Sequence, residues 1–175
     1  DCIQLAHGSG GRRTARQIRD EILSRFGGGP LDGLPDGATL PAEGAELVFT
    51  TDGYTVQPLE FPGGTIGALA VHGTVNDLAV SGGLPRWLSL GVIAEEGLPM
   101  TAFRRILDDA ARAALQCGVR IATGDTKVVA RGACDGLFLH TAGIGARDER
   151  LRLGRERIRP GDAVLVSGAL GDHGM

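Results

Sequence analysis

Aromatic side chains are scarce in this sequence: one Trp, one Tyr and five Phe in 175 residues. A core must then be built from Ala, Val, Leu and Ile, and the stacking platforms that hold single-stranded nucleic acid are missing. Lysine is rarer still: Lys127 stands alone, and the other seventeen of the 18 basic residues are arginine. Cys2, Cys117 and Cys134 form an odd set with no Cys-x-x-Cys pair, which argues against a disulfide framework and against a zinc site. A formal charge of −3 supplies no basic field for a phosphate backbone or an anionic bilayer. No apolar run nears the ~18 residues that cross a membrane. The opening Asp1-Cys2-Ile3-Gln4 has no signal-peptide architecture, so the cytoplasm is the expected compartment. With nucleic acid and membrane set aside, the expected partner is a small molecule or another protein.

What remains is ordinary globular material, 42% hydrophobic and 22% charged, enough for the core of one domain. The 29 glycines punctuate it. His7-Gly8-Ser9-Gly10-Gly11 precedes Ala15, Ile18, Ile22, Leu23 and Phe26 at helical spacing, a loop feeding a helix. Glu46 to Thr51 and Tyr54 to Leu59 read as extended segments about Asp52-Gly53, either a hairpin or one bent strand. Thr65 to Ser81 reads as a closely packed helix capped by Thr65. Trp87 to Glu95 alternates as a strand. Phe103, Ile106, Leu107, Ala110, Ala111, Ala114 and Leu115 mark an amphipathic helix that Gly118 stops. Val119 to Ala130, Leu137 to Ala146 and Ala163 to Ser167 read as further strands, and Arg147 to Arg159 as a solvated loop. This order predicts an α/β or α+β sandwich. After Leu170 a further helix or domain is expected to begin.

Neither the P-loop nor the dinucleotide fingerprint is present. The cluster Gly8, Ser9, Gly10 and Gly11 can still offer backbone N–H groups to phosphate at a helix start, helped by Arg12 and Arg13, or it is a plain flexible turn. Asp36, Asp52, Asp77 and Asp125 sit at element junctions, where acidic residues also serve as turn formers and caps. Asn76-Asp77 interrupts an apolar helix, where an unpartnered buried charge is costly. Carboxylate and amide oxygens gathered from separate segments suit Mg²⁺ held together with substrate phosphates. In Thr123-Gly124-Asp125-Thr126-Lys127, strand alternation puts Thr123, Asp125 and Lys127 on one face, as a phosphate contact or as an ordinary ion pair. The single lysine in an arginine-rich chain favours function, because guanidinium does not replace a compact ammonium with movable donors.

Taken in order, Leu5-Ala6-His7-Gly8-Ser9-Gly10-Gly11, Thr50-Thr51-Asp52-Gly53-Tyr54, Phe61-Pro62-Gly63-Gly64, Gly73-Thr74-Val75-Asn76-Asp77-Leu78-Ala79, Thr123-Gly124-Asp125-Thr126-Lys127-Val128-Val129 and Ser167-Gly168-Ala169-Leu170-Gly171-Asp172-His173-Gly174 carry a resemblance. The chain resembles the hydrogenase maturation family HypE, within the aminoimidazole ribonucleotide (AIR) synthetase-like superfamily. The resemblance implies an α+β fold: an ATP-binding N-terminal domain over residues 1–168, a mixed sheet packed with helices, and a homodimer closed through a strand barrel. Residues 169–175 would begin the connection to a C-terminal domain. It further implies ATP and Mg²⁺ as cofactors and ATP-dependent dehydration of a thiocarbamate on a C-terminal cysteine to a thiocyanate, the cyanide source for the [NiFe] hydrogenase iron centre. The implied partners are the carbamoyltransferase HypF upstream and the HypC-HypD complex downstream. Carried onto this chain, Lys127 and Asp125 are the catalytic pair. Nucleotide binding falls to Gly8, Ser9, Gly10, Gly11, Asp52, Asn76, Asp77, Thr123, Gly124, Asp125 and Lys127, and metal binding to Asp36, Asp52 and Asp77. Gly37 and Gly53 stand where the family more often has Ala or Ser, and His72 where Cys is common. The alternatives are another ATP-dependent synthetase or kinase of the superfamily, or a docking module for maturation partners.

Overall fold

The computed structural model describes residues 11–26 and 37–169. Its central strands are β1 (Ala38–Ala42), β2 (Ala45–Tyr54), β5 (Gly83–Glu95), β6 (Arg120–Val129) and β7 (Leu137–Arg147). They form one five-stranded sheet in the order β1-β2-β7-β5-β6. Every pairing is antiparallel except β5 with β6, which run parallel because α4 (Met100–Cys117) carries the chain across between them. A two-stranded hairpin, β3 (Glu60–Phe61) and β4 (Gly64–Thr65), leads into α3 (Ile66–Val80). The sheet is mixed and the fold α+β, as the resemblance implied.

Both long helices lie on one face of the sheet. α3 packs against β2, β7 and β5 and is overlain by α4, so it is buried on two sides and apolar nearly all round. Its start is capped as expected, Thr65 Oγ1 accepting from the Gly67 N–H at 3.2 Å. α4 buries Ile106, Ala110, Ala113 and Ala114, and Gly118 ends it in the left-handed region at φ 68°. Two residues of the expected stripe lie outside, Ala111 and Leu115, the latter 82% exposed, and Ala113 is inside in their place.

Two apolar clusters fill the space between helices and sheet. One gathers Val48, Val71, Leu78, Leu88 and Ala110; the other gathers Tyr54, Ile66, Val92, Ile106 and Leu139. Between them runs a chain of hydroxyls. Tyr54 Oη lies 3.2 Å from Thr74 Oγ1, Thr74 bonds Thr141, and Thr141 donates to the Ala70 carbonyl at 3.4 Å. Thr74 and Thr141 are fully buried, so each hydroxyl needs these partners. Close approach depends on small residues: a side-chain carbon on Gly67 would strike the Ile106 carbonyl of α4, and one on Gly73 would strike the Tyr54 hydroxyl.

Three expectations change. Asp52-Gly53 lies inside the single strand β2, whose hairpin partner is the upstream β1, and residues 55–59 do not continue it as a strand. Ala163 to Ser167 forms no strand: Val164 and Leu165 are each 90% exposed and find no neighbouring strand among the described residues. The first helix forms as α1 (Arg12–Gln17), a π-helical stretch Ile18–Leu23 and α2 (Ser24–Phe26), but none of residues 12–25 is buried, so Ala15, Ile18, Ile22 and Leu23 meet no core among the described residues.

Burial is the main reason the Tyr54 phenol is pushed up to about 12, with the Thr74 hydrogen bond opposing it and the Asp52 charge adding to it. A raised phenol favours the folded state fully below pH 10, the unfolded value, and that gain is lost as pH climbs to 12. Unfolding free energy should fall by about 2–3 kcal/mol across this window, and Tyr54→Phe should lack that part of the slope. Tyr54 is the only tyrosine, so phenolate absorbance reads the same event; a folded-state midpoint near 10 would refute the assignment.

Candidate functional site

The Thr123–Lys127 segment lies on β6, the edge strand of the sheet, exposed along almost its whole length. Lys127 Nζ bonds Asp125 at 3.0 Å, with side chains 69% and 67% exposed. Hydrogen bonding to the lysine, then its charge, holds the Asp125 carboxyl below the usual carboxylate range. Gly124 admits no side chain because one would strike the Leu90 carbonyl of β5. Beside this segment, between α4 and β5, is a cleft of about 530 Å³ whose apolar side includes Leu90, Val92, Phe103 and Leu107.

A second group forms where α3 crosses β2. Thr50 donates to Asp77 Oδ2 at 3.4 Å, so Asp77, half-buried on α3, faces the strand. Asp52 is two positions along β2 on the same face as Thr50, about 7 Å away along the strand, and its carboxylate accepts the Gly53 N–H at 2.8 Å. Asn76 is on the exposed side of α3. Gly11 precedes α1 as its N-cap without a side-chain cap. Gly8, Ser9, Gly10 and Asp36 lie outside the described residues.

Register shows which of these residues meet. Asp52 pairs with Thr141, Thr141 with Leu90 and Leu90 with Gly124, a row on the helix-covered face. The next row, Gly53, His140, Gly91 and Asp125, projects from the opposite, open face, and Lys127 shares it. Asp125 and Lys127 are therefore on the other face of the sheet from Asp52 and Asp77, and three strand spacings, about 14 Å, from β2. The structure brings Asp125 and Lys127 together as one pair and places Asp77 beside Thr50, with Asp52 two positions further along β2; it does not gather all of them in one cluster.

Sequence reasoning passed over His140, whose Nε2 is 2.9 Å from Thr51 Oγ1. Its signal was an imidazole at an outward position of a strand whose alternate residues, Leu137, Leu139 and Thr141, all point inward. It also passed over Glu95, whose carboxylate accepts the N–H groups of Gly132 and Gly136 at 2.6 and 2.9 Å and closes the turn from β6 to β7.

A family model, AIR synthase related protein, N-terminal domain, matches residues 35–146. The chain belongs to this family. It is 49% identical over 177 residues to the carbamoyl dehydratase HypE of Escherichia coli (strain K12), covering 98% of the chain and 53% of that relative. A crystal structure of the hydrogenase maturation protein HypE in complex with ATP aligns at a TM-score of 0.72 and 50% identity, covering 99% of this chain and 51% of that one. A HypE-HypF complex aligns at a TM-score of 0.71 and 41% identity, covering 76% of this chain and 43% of that one. The chain spans about half the length of the curated relatives it matches. No helix among the described residues is long and apolar enough to cross a membrane.

An exposed ion pair on an edge strand contributes little to folding. Lys127→Ala should leave the thermal midpoint within about 2 °C of wild type; a fall of many degrees by calorimetry would give Lys127 a structural role.

Proposed function

We propose that this chain is the ATP-binding half of a carbamoyl dehydratase of the HypE type, and that its nucleotide site is completed by a second copy. The supporting observation is the split itself: the lysine pair and the carboxylates, all in segments that resemble HypE, sit on opposite faces of one sheet. A single copy holds them apart; two copies can set Lys127 and Asp125 of one against Asp52 and Asp77 of the other.

The open face supports the pairing. No helix among the described residues covers it, and Phe49, Ile144 and Trp87 form an adjoining apolar row across three strands, with Leu84 and Ile93 nearby. Trp87 is 50% exposed and Phe49 37%. A contiguous apolar patch beside an unpaired edge strand is a surface that association buries.

Magnesium fits the second group in one mode. Among the described residues no three His, Cys, Asp or Glu side chains converge as a metal cage. Asp52 and Asp77 flank Thr50 as two hard carboxylates, the number Mg²⁺ takes when phosphates complete its shell. Asp36 is the third carboxylate of that reading, and Gly8 to Gly11, Asn76, Thr123 and Gly124 the remaining nucleotide contacts. ATP is the phosphoryl donor that turns a carbamoyl oxygen into a leaving group. Lys127 supplies a movable cation for charge developing on transferred oxygens, and Asp125 holds it in place. Residues 1–168 make the nucleotide and dimer domain, and 169–175 lead into the rest of the enzyme. A carbamoyltransferase of the HypF type supplies the carbamoyl group, a HypC-HypD complex receives the cyanide, and the setting is the cytoplasm.

Full-length copies carrying Asp52→Asn and copies carrying Lys127→Arg should each be inactive alone. Mixed one to one, they should regain about one quarter of wild-type nitrile-forming activity, since half the dimers are mixed and each has one intact site. No recovery in dimers shown to have exchanged would place all four residues in one protomer's site. Light scattering on Trp87→Arg should give a monomer.

Calorimetry on full-length Asp77→Asn should show weaker ATP binding with Mg²⁺ present and little change without it. Equal affinity in both cases would make Asp77 a structural residue.

A further inference from the structure

β6 pairs with β5 on one side and with no other strand among the described residues. Lys127 and Asp125 both belong to it, so their ion pair moves wherever the strand moves. The place of the lysine is therefore set by β5 and by what holds the two ends of β6. At its start the chain arrives from α4 through Gly118 and the buried Val119. At its end it leaves Val129 for the turn 130–136, no residue of which is buried. Core packing does not hold that end.

A carboxylate does. Glu95, the last residue of β5, stands in register with Val129, two positions past Lys127, and shares the open face with the lysine. Its Oε1 accepts the Gly132 N–H at 2.6 Å and its Oε2 the Gly136 N–H at 2.9 Å. The main chain repeats the clasp: the Glu95 N–H donates to the Gly136 carbonyl at 2.8 Å, and the Glu96 N–H to the Val129 carbonyl at 2.9 Å. Both glycines sit in the left-handed region, at φ 82° and 74°, where a side chain is strained. The Gly132 bond, then the Gly136 bond, hold the carboxyl below the usual carboxylate range, so both oxygens are ionised acceptors. Such bonds are about twice as strong as neutral ones. Gln57 adds a neutral clasp from the segment after β2, donating to the Asp135 carbonyl at 2.6 Å.

We propose that Glu95 is a positioning residue for Lys127: by clamping the turn after β6 it fixes the end of the strand from which the ammonium reaches its target. This rests on the reading of Lys127 given above. With both oxygens occupied, Glu95 is neither a base nor a ligand, and its effect travels through the strand. Without the clamp the turn swings, and an edge strand frays from its unanchored end. Val129 parts from β5 first and Lys127 follows. The lysine keeps its charge and its aspartate but loses its place. A displacement of about 1 Å at a group that stabilises developing charge lowers turnover about 100-fold. The other nucleotide contacts stay as they were, so the loss falls on kcat and spares KM for ATP.

The test uses the full-length protein carrying Glu95→Gln, which keeps the size of the side chain and replaces one accepting oxygen with an NH₂ group. Its kcat should fall at least about 10-fold while KM for ATP stays within about 2-fold of wild type. Deuterium exchange in residues 126–136 should quicken at least about 10-fold, with β2 and β7 unchanged. The mixture of Asp52→Asn and Lys127→Arg copies then locates the effect, because its working site takes its lysine from the Asp52→Asn copy. Glu95→Gln added to that copy should cut the recovered activity at least about 10-fold. Added instead to the Lys127→Arg copy, whose lysine strand is idle, it should leave recovery within about 2-fold. Equal loss from either copy overturns the proposal, since Glu95 would then serve the fold of every copy alike; no loss from either overturns it too. If the parent mixture does not recover, the two-copy site fails first, and the single variant decides: an unchanged kcat, or a rise in KM that matches the loss, refutes the positioning role. If Lys127→Arg alone keeps wild-type turnover, the reading of Lys127 fails independently of Glu95, and the proposal falls with it.

Discussion

The buried hydroxyl chain from Tyr54 through Thr74 and Thr141 to the Ala70 carbonyl seats α3 on the sheet. Apolar packing alone would let the helix slide by small steps at modest cost, since Ala and Val side chains fit many registers. A hydroxyl without its partner costs about 1–3 kcal/mol when buried, and two fully buried threonines make the seat specific. Everything at the carboxylate end follows from it. Asp77 is one turn beyond Thr74 and so is brought to Thr50. Tyr54 fixes the end of the strand that presents Asp52. The glycine at position 73 is the space the tyrosine needs.

The two faces of the sheet have been given different work. The covered face holds the core and, at its margin, two carboxylates whose positions are set by packing. The uncovered face holds a lysine and an aspartate set only by each other and by strand register. A charge pair that is two-thirds exposed has no energetic claim on the fold, which is why its segment can be tuned for a ligand without endangering stability. Rigidity at that edge comes from elsewhere. Glu95 binds the two backbone N–H groups that close the turn after β6, and its carboxyl is held below its usual range by those bonds. The Gly124 contact with Leu90 keeps β6 close against β5.

Both long helices and four of the five sheet strands were legible in the sequence: α4, β2, β5 and β7 each bury one face, α3 is apolar nearly all round, and β6 was marked by its run of strand formers although it is exposed almost throughout. β1 was missed. Its run Ala38-Thr39-Leu40-Pro41-Ala42 contains a proline and sits at an edge, where strand character is supplied by pairing to β2 rather than by composition. Ala163 to Ser167 failed in the opposite sense: β-branched residues make a strand only where a neighbour offers hydrogen bonds. For the site, motif and composition singled out Lys127, Asp52 and Asp77 one by one. Their division between two faces was not readable, since it depends on the strand order β2-β7-β5-β6, a matter of topology that local pattern does not encode. His140 was hidden for the same reason, its neighbours being Thr51 and Gly91 on other strands.

That strand order also sets a sequence of events during synthesis. β5, α4, β6 and β7 follow one another in the chain and can assemble as they emerge. β2, made long before, has only its hairpin partner β1 until β7 arrives to join it to the rest of the sheet, and Thr51 and His140 are 89 residues apart. Closing so long a loop costs little more in entropy than closing a short one, but it must wait. The lysine edge is thus laid down on a local unit, whereas the carboxylate edge is added by a distant strand returning to a finished neighbour. A ribosome pausing between residues 130 and 137 would hold a chain with its lysine strand made and its carboxylate strand still without a place in the sheet.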